Sequence, residues 1–155
     1  MEFLQPSSWA KPKGYSNGIS TRGTMVFVAG QVGWDENEKF QSLEFVPQVE
    51  QALKNIVTVL AETDARPEHI ARMTWYVTDK KAYLSSLREV GKTYREIIGR
   101  HYPTMSLVIV AGLVEEGALV EIEATAVLPE KEQEQTMKCN VQLNQQTIQI
   151  GEDGP

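Results

Sequence analysis

Pro103 to Leu128, PTMSLVIVAGLVEEGALVEIEATAVL, is the most strongly patterned segment of the chain. It reads as two β-strands joined by a short acidic turn, Val114-Glu115-Glu116-Gly117, in which Gly117 can take the positive φ that hairpin turns often need. The first strand runs from Met105 to Ala111 and the second from Leu119 to Leu128. Strand side chains alternate between faces, so Val120, Ile122, Ala124, Ala126 and Leu128 share one face. Glu121, Glu123, Thr125 and Val127 share the other. Two carboxylates inside an otherwise apolar strand need water, partners or a chemical role.

Before this stretch, the chain reads as alternating strands and helices. Residues 1–16 look irregular, and a strand is expected at Gly18 to Thr21, followed by a second at Thr24 to Ala29. Gly30 to Asp35 reads as a loop, with a short strand expected near Lys39 to Ser42. The clearest helix follows: Val49, Ala52, Leu53, Ile56, Val57 and Leu60 form one apolar stripe, with Pro47 in the first turn and Pro67 barring continuation. Ile70 to Thr78 is a strand, and Ala82 to Gly99 a second helix. This order predicts an α+β domain, one sheet with two helices packed on one face. Leu107, Ile109 and Val127 are left without cover, which calls for a second subunit over the other face.

The domain is expected over residues 1–129. From 130 to 155 the composition turns to Gln, Glu and Asn. That extension reads either as a polar tail or as a small hairpin arm, with Val141-Gln142-Leu143 and Ile148-Gln149-Ile150 around Asn144-Gln145-Gln146. The formal net charge of −6 and the lack of a basic run argue against nucleic acid as a partner. No apolar run is long enough for a membrane span, and the N-terminus lacks the pattern of a secretory signal. The single cysteine, Cys139, excludes an intramolecular disulfide framework and fits a cytoplasmic protein. His69 and His101 lie far apart with no cysteine cluster, so no metal site is expected.

Four separated motifs carry a resemblance: Gly14-Tyr15-Ser16, Val26-Phe27-Val28-Ala29-Gly30-Gln31-Val32, Pro103-x-x-Ser106, and Val120-Glu121-Ile122-Glu123-Ala124-Thr125-Ala126. In order and spacing, over about residues 13 to 128, the chain resembles the RidA/YjgF family of enamine/imine deaminases. The resemblance implies a chorismate-mutase-like fold, a homotrimer with clefts between subunits, and hydrolysis of reactive enamines and imines without metal or cofactor. It also implies that Glu123 holds the attacking water. Such a reaction needs an oriented water and a cation to hold the substrate carboxylate.

The family places an arginine two residues after the proline, and here that position is Met105. Loss of a charge-assisted hydrogen bond weakens carboxylate binding by roughly ten- to a hundredfold. Either the substrate is not a small amino-acid-derived carboxylate, or Arg22, Arg72 or Arg100 replaces the anchor, or hydrolysis has been lost and the trimer binds or regulates. Tyr15, Gly30, Gln31, Trp34, Met105 and Leu107 are the expected ligand contacts. For each an ordinary role competes: a surface tyrosine, a strand-ending glycine, a packing tryptophan. Glu121 reads as a solvated or salt-bridged edge group, Tyr94 as core, and His101 as a helix cap.

Overall fold

The computed structural model describes residues 1–130. Strands β1 (Glu2–Leu4) and β2 (Gly18–Ser20) pair antiparallel as a small ribbon. The main sheet contains β3 (Thr24–Val32), β4 (Ile70–Val77), β5 (Thr104–Ile109) and β6 (Val120–Leu128), in the order β3-β6-β4-β5. Helices α1 (Phe45–Ala61), α2 (Lys80–Ser85) and α3 (Leu87–Ile97) complete the domain.

The stretch from Pro103 to Leu128 does form two strands, but they are not a hairpin. β5 lies parallel to β4, whereas β6 inserts between β3 and β4, antiparallel to both. Between them the chain crosses the end of β4, where Val110 N–H donates to the Val77 carbonyl and Thr78 N–H to the Leu119 carbonyl. Gly117 has φ +86° as expected, within this crossing and not in a hairpin turn. The reason is burial. β6 offers an unbroken apolar face, and a central position with two partners covers it best; β5 takes the edge, joined to β4 by the α2–α3 crossover that a parallel pair requires.

The faces follow from this register. Val120, Ile122, Ala124 and Ala126 are 0–4% exposed and pack with Met73, Trp75 and Val77 beneath the helices. Trp75 pairs with Leu107 and Val77 with Ile109, so both β5 side chains lie on the helix side of the sheet. The expectation that Leu107 and Ile109 face a bare sheet surface is therefore corrected, because β5 runs parallel to β4 and its register is set by that strand. The face without helices carries instead Met25, Phe27, Thr125, Val127, Thr74, Tyr76 and Val108; Phe27 is 71% exposed and Met25 56%.

Helix α1 carries the predicted stripe: Val49, Ala52, Leu53, Ile56 and Leu60 are fully buried. Buried Gln48 ties it to the crossing segment. Its Nε2 donates to the Gly117 carbonyl at 2.9 Å and its Oε1 accepts from Leu119 N–H at 2.8 Å. Gly33 lets the chain pass close to this helix, since a Cβ there would lie 2.5 Å from Gln48 Cβ. The single second helix expected over 82–99 is two helices. Asp79 caps the first through the Lys81 and Ala82 amides, and the chain breaks at Ser86, just after Ser85 turns its hydroxyl to the Ala82 carbonyl.

Two other expectations change. The N-terminal residues are not wholly irregular, because Glu2–Leu4 finds β2 as a partner, a pairing across sixteen residues with no local pattern. β3 continues past Ala29 to Val32 through a bulge between Val28 and Gln31. Near Lys39 to Ser42 there is only a bridge between Trp34 and Phe40. The extension beyond residue 130, including the expected hairpin arm, lies outside the described residues.

Candidate functional site

Ser16 fixes the first half of the site. Its N–H donates to the Pro103 carbonyl at 3.0 Å, its hydroxyl donates to the Tyr102 carbonyl at 2.5 Å, and it bridges to Thr104. This contact adds the Gly14-Tyr15-Ser16 segment to the outer edge of β5, with Gly14 at φ +78° turning the chain. Tyr15 is thereby set beside Met105. Between β5 and α3 opens a cavity of about 550 Å³, walled by Trp75, Tyr83, Tyr94, Met105 and Leu107, with Tyr15 and Arg95 also lining it. The Tyr94 and Tyr102 rings stack at 5.8 Å, and Tyr94 donates to the His101 carbonyl at 2.8 Å. Burial pushes the Tyr94 phenol well above its ordinary pKa, so it stays a neutral wall. His101 contacts the Ile70 carbonyl and Phe3, away from this cavity.

Glu123 belongs to the opposite side of the sheet. Tyr76 donates its hydroxyl to Glu123 Oε1 at 3.1 Å, and that bond raises the Tyr76 pKa. A hollow of about 450 Å³ there is lined by Phe27, Ala29, Arg72, Thr74, Glu123 and Thr125. Thr74 Oγ1 is buried without a partner. Glu121 lies on the same face, opposite Val32 and Tyr76 in register. Its carboxylate rests against Gly30, where a Cβ would overlap Oε1. The glycine therefore matters for close approach, and the group approaching is Glu121.

The remaining expected contacts are placed as follows. Gln31 turns its amide back to the Ala29 carbonyl at 3.1 Å. Trp34 packs on Phe40 at 6.0 Å, and its carbonyl accepts from Asn55. Of the three arginines expected as substitutes, Arg72 reaches a smaller cavity of about 320 Å³ shared with Tyr15 and Met105. Arg22 lines a hollow with Met25 and Phe27, and Arg100 stands exposed after α3. Sequence reasoning missed Arg95 altogether. Its one signal was Gly91 four residues earlier on the same helix, leaving room for a long side chain.

One protomer does not assemble the expected site. Tyr15, Met105 and Leu107 lie at the β5 edge, whereas Gly30 and its neighbour Glu121 lie toward β3. Those strands are opposite edges of the sheet, about 14 Å apart at ~4.8 Å per step. Among the described residues no three His, Cys, Asp or Glu side chains come together as a metal would require. No helix is long and apolar enough to cross a membrane.

Known proteins share this sequence pattern and fold. The family model described as endoribonuclease L-PSP matches residues 7–128. A RutC family protein of Pyrococcus abyssi is 30% identical over 118 residues, which is 75% of this chain and 88% of that protein. The RutC family protein UK114 of Drosophila melanogaster is 27% identical over 131 residues, 81% of this chain and 88% of that one. Among solved structures, the Rid family protein YyfB from Yersinia pestis superposes with TM-score 0.73 at 26% identity, covering 82% of this chain and 98% of that one. E. coli TdcF, solved with bound serine, superposes with TM-score 0.59 at 25% identity, covering 83% of this chain and all of that one.

Proposed function

The chain belongs to the RidA/YjgF family, to which the endoribonuclease L-PSP model and the RutC and Rid relatives point, and from that premise we propose that it binds a small molecule in clefts between the subunits of a homotrimer. In those clefts it hydrolyses an enamine or imine. The observation that carries this reading is the division of the site. The apolar half sits at the β5 edge and the carboxylates sit on the helix-free face, so only the edge of one copy laid against the face of another brings them together. Exposed Phe27, Met25 and Val108 supply apolar surface for that contact. The serine bound to TdcF supports a cleft that takes molecules of amino-acid size.

The reaction adds water to the C=N carbon. An enamine reaches that C=N form by moving a proton from nitrogen to its β-carbon. Glu123 then positions the water, takes its proton and returns it to the nitrogen. The amino alcohol passes its hydroxyl proton to nitrogen as the C–N bond breaks, leaving a carbonyl compound and ammonia. Tyr76 holds Glu123 Oε1, which leaves Oε2 for the water. Glu121 is the second carboxylate on this face, and its contact with Gly30 makes it the direct comparison for Glu123. Met105 favours a substrate with an apolar body, and it also favours a second reading, a trimer that binds its ligand without turnover. The family description names an endoribonuclease, but a chain of net charge −6 offers a phosphate backbone little attraction. The single cysteine suits a cytoplasmic setting.

Ammonia release from 2-aminoacrylate and from bulkier aromatic enamines tests the proposal. Wild type should turn over the bulkier compounds faster, and Glu123→Gln should lower the rate about a hundredfold or more. Equal release by wild type and Glu123→Gln would remove Glu123 from the chemistry. A loss confined to Glu121→Gln would move the role to that residue, and no turnover by any form would leave the binding trimer.

A further inference from the structure

The cavity between α3 and β5 is walled by apolar and aromatic side chains, Met105 among them, and carries a cation at its border. We propose that this cation, Arg95 on α3, holds the carboxylate of a ligand whose aromatic or branched body fills this cavity. The inference rests on the small-molecule cleft proposed above and names its ligand class.

The geometry comes from the helix. Side chains on a helix lean toward its N-terminus and cover the preceding turn. Arg95 therefore lies over Gly91, and a Cβ at 91 would stand 3.2 Å from its Nη1. With no side chain at 91, the guanidinium can lie along the helix and line the cavity. No carboxylate among the described residues forms a salt bridge with it; the nearby Glu96 faces Lys92 at 3.8 Å. A guanidinium with no carboxylate partner among the described residues, at the border of an apolar cavity, suits a carboxylate, which it can grip through two parallel N–H···O bonds.

The cavity supplies the other half of the ligand's description. Its walls are Trp75, Tyr83, Tyr94, Met105 and Leu107, and its volume of about 550 Å³ falls in the ordinary range for small-molecule sites. A three-carbon acid would leave most of it unfilled. An aromatic ring or branched chain would lie against the tyrosines and the flexible thioether of Met105. Arg72, in the smaller and more polar cavity beyond Met105, is the internal rival.

Calorimetric binding of phenylpyruvate, pyruvate and phenylpyruvamide separates the possibilities without requiring turnover. Wild type should bind phenylpyruvate at least tenfold more tightly than pyruvate. Arg95→Gln should weaken phenylpyruvate about tenfold or more, Arg95→Lys should recover part of that loss, and neither should change binding of the neutral amide. Unchanged phenylpyruvate affinity in Arg95→Gln overturns the inference. So does a loss seen only in Arg72→Gln, or the absence of carboxylate binding by wild type. Arg95-dependent binding without hydrolysis of any enamine would keep this inference and sink the proposed reaction; hydrolysis indifferent to Arg95 would do the reverse.

Discussion

The two faces of the four-stranded sheet are built from the same strands and have opposite fates. Under the helices, alternate residues of β6 are 0–4% exposed and meet α1 and α3 in a core finished within the chain. On the other face the intervening residues include Phe27 at 71% exposure and the Glu123, Tyr76 and Arg72 group. A period of two sorts side chains onto faces, but it does not say what will cover each face. Helices cover one because they are joined to it by short connections. The other is left uncovered by the described residues, and it carries both the exposed apolar groups and the carboxylates.

The contrast can be broken most directly by substituting one residue on each face. Ile122→Ala opens a cavity in the closed core and should cost about 2–5 kcal/mol in urea unfolding, at every protein concentration. If the proposed trimer forms, Phe27→Glu should act through assembly instead: sedimentation should shift to the single subunit, and stability should fall only as mass action requires. A concentration-independent loss in Phe27→Glu would show that the open face is part of the protomer's own core.

A smaller effect sharpens the closed side. Gln48 is a buried polar group on α1, bonded to Ser42 and to Gly117 and Leu119 on the segment that carries the chain from β5 to β6. Gln48→Leu should cost about 1–3 kcal/mol, because the part-buried Leu119 N–H and the Gly117 carbonyl lose their partners. Amide exchange of Leu119 should accelerate with it; unchanged exchange would mean the crossing is held by its strands alone.

The smallest effect is expected at Asp35, outside both faces. Amide donors from Lys39 and Asn37 hold its carboxyl below the ordinary range. A lowered folded pKa stabilises the fold above the ordinary carboxylate pKa, and that contribution disappears as pH falls through the lowered value. Asp35→Asn should therefore melt slightly below wild type near neutrality, with the gap closing in acid. A gap that widens in acid would contradict the sign.

The same contrast explains how far the sequence could be read. α1 was legible because its stripe repeats every turn and its burial requires nothing distant. The alternation of β6 is legible for the same local reason, and by itself it sets Glu123 and Glu121 on one face. The pairing of β6 was not legible. Two apolar strands separated by a glycine-containing turn look like a hairpin, and only competition for the central position sent β6 between β3 and β4. The break at Ser86 was hidden as well, since Leu87, Val90 and Tyr94 keep helical spacing on either reading.

For the candidate site, Tyr15, Met105 and Leu107, named together from a resemblance in sequence order, line one cavity, and the Ser16 contacts supply the physical cause of their proximity. Gly30 was singled out as a place of close approach, but its partner, Glu121, could be identified only once the bulge in β3 fixed the register. Arg95 carries no motif. It lines the cavity because a helix turn sets it above Gly91 while β5 lies opposite, a meeting of distant segments.

Residue identity and short-range periodicity suffice for the family, the two-sided patterning of β6 and the departure at Met105. Only the packed fold separates β5 from β6, rests Glu121 against Gly30, and puts Met105 and Gly30 on opposite edge strands of one sheet. Those outcomes depend on which surfaces bury each other most completely, and that competition is settled between segments far apart in the chain.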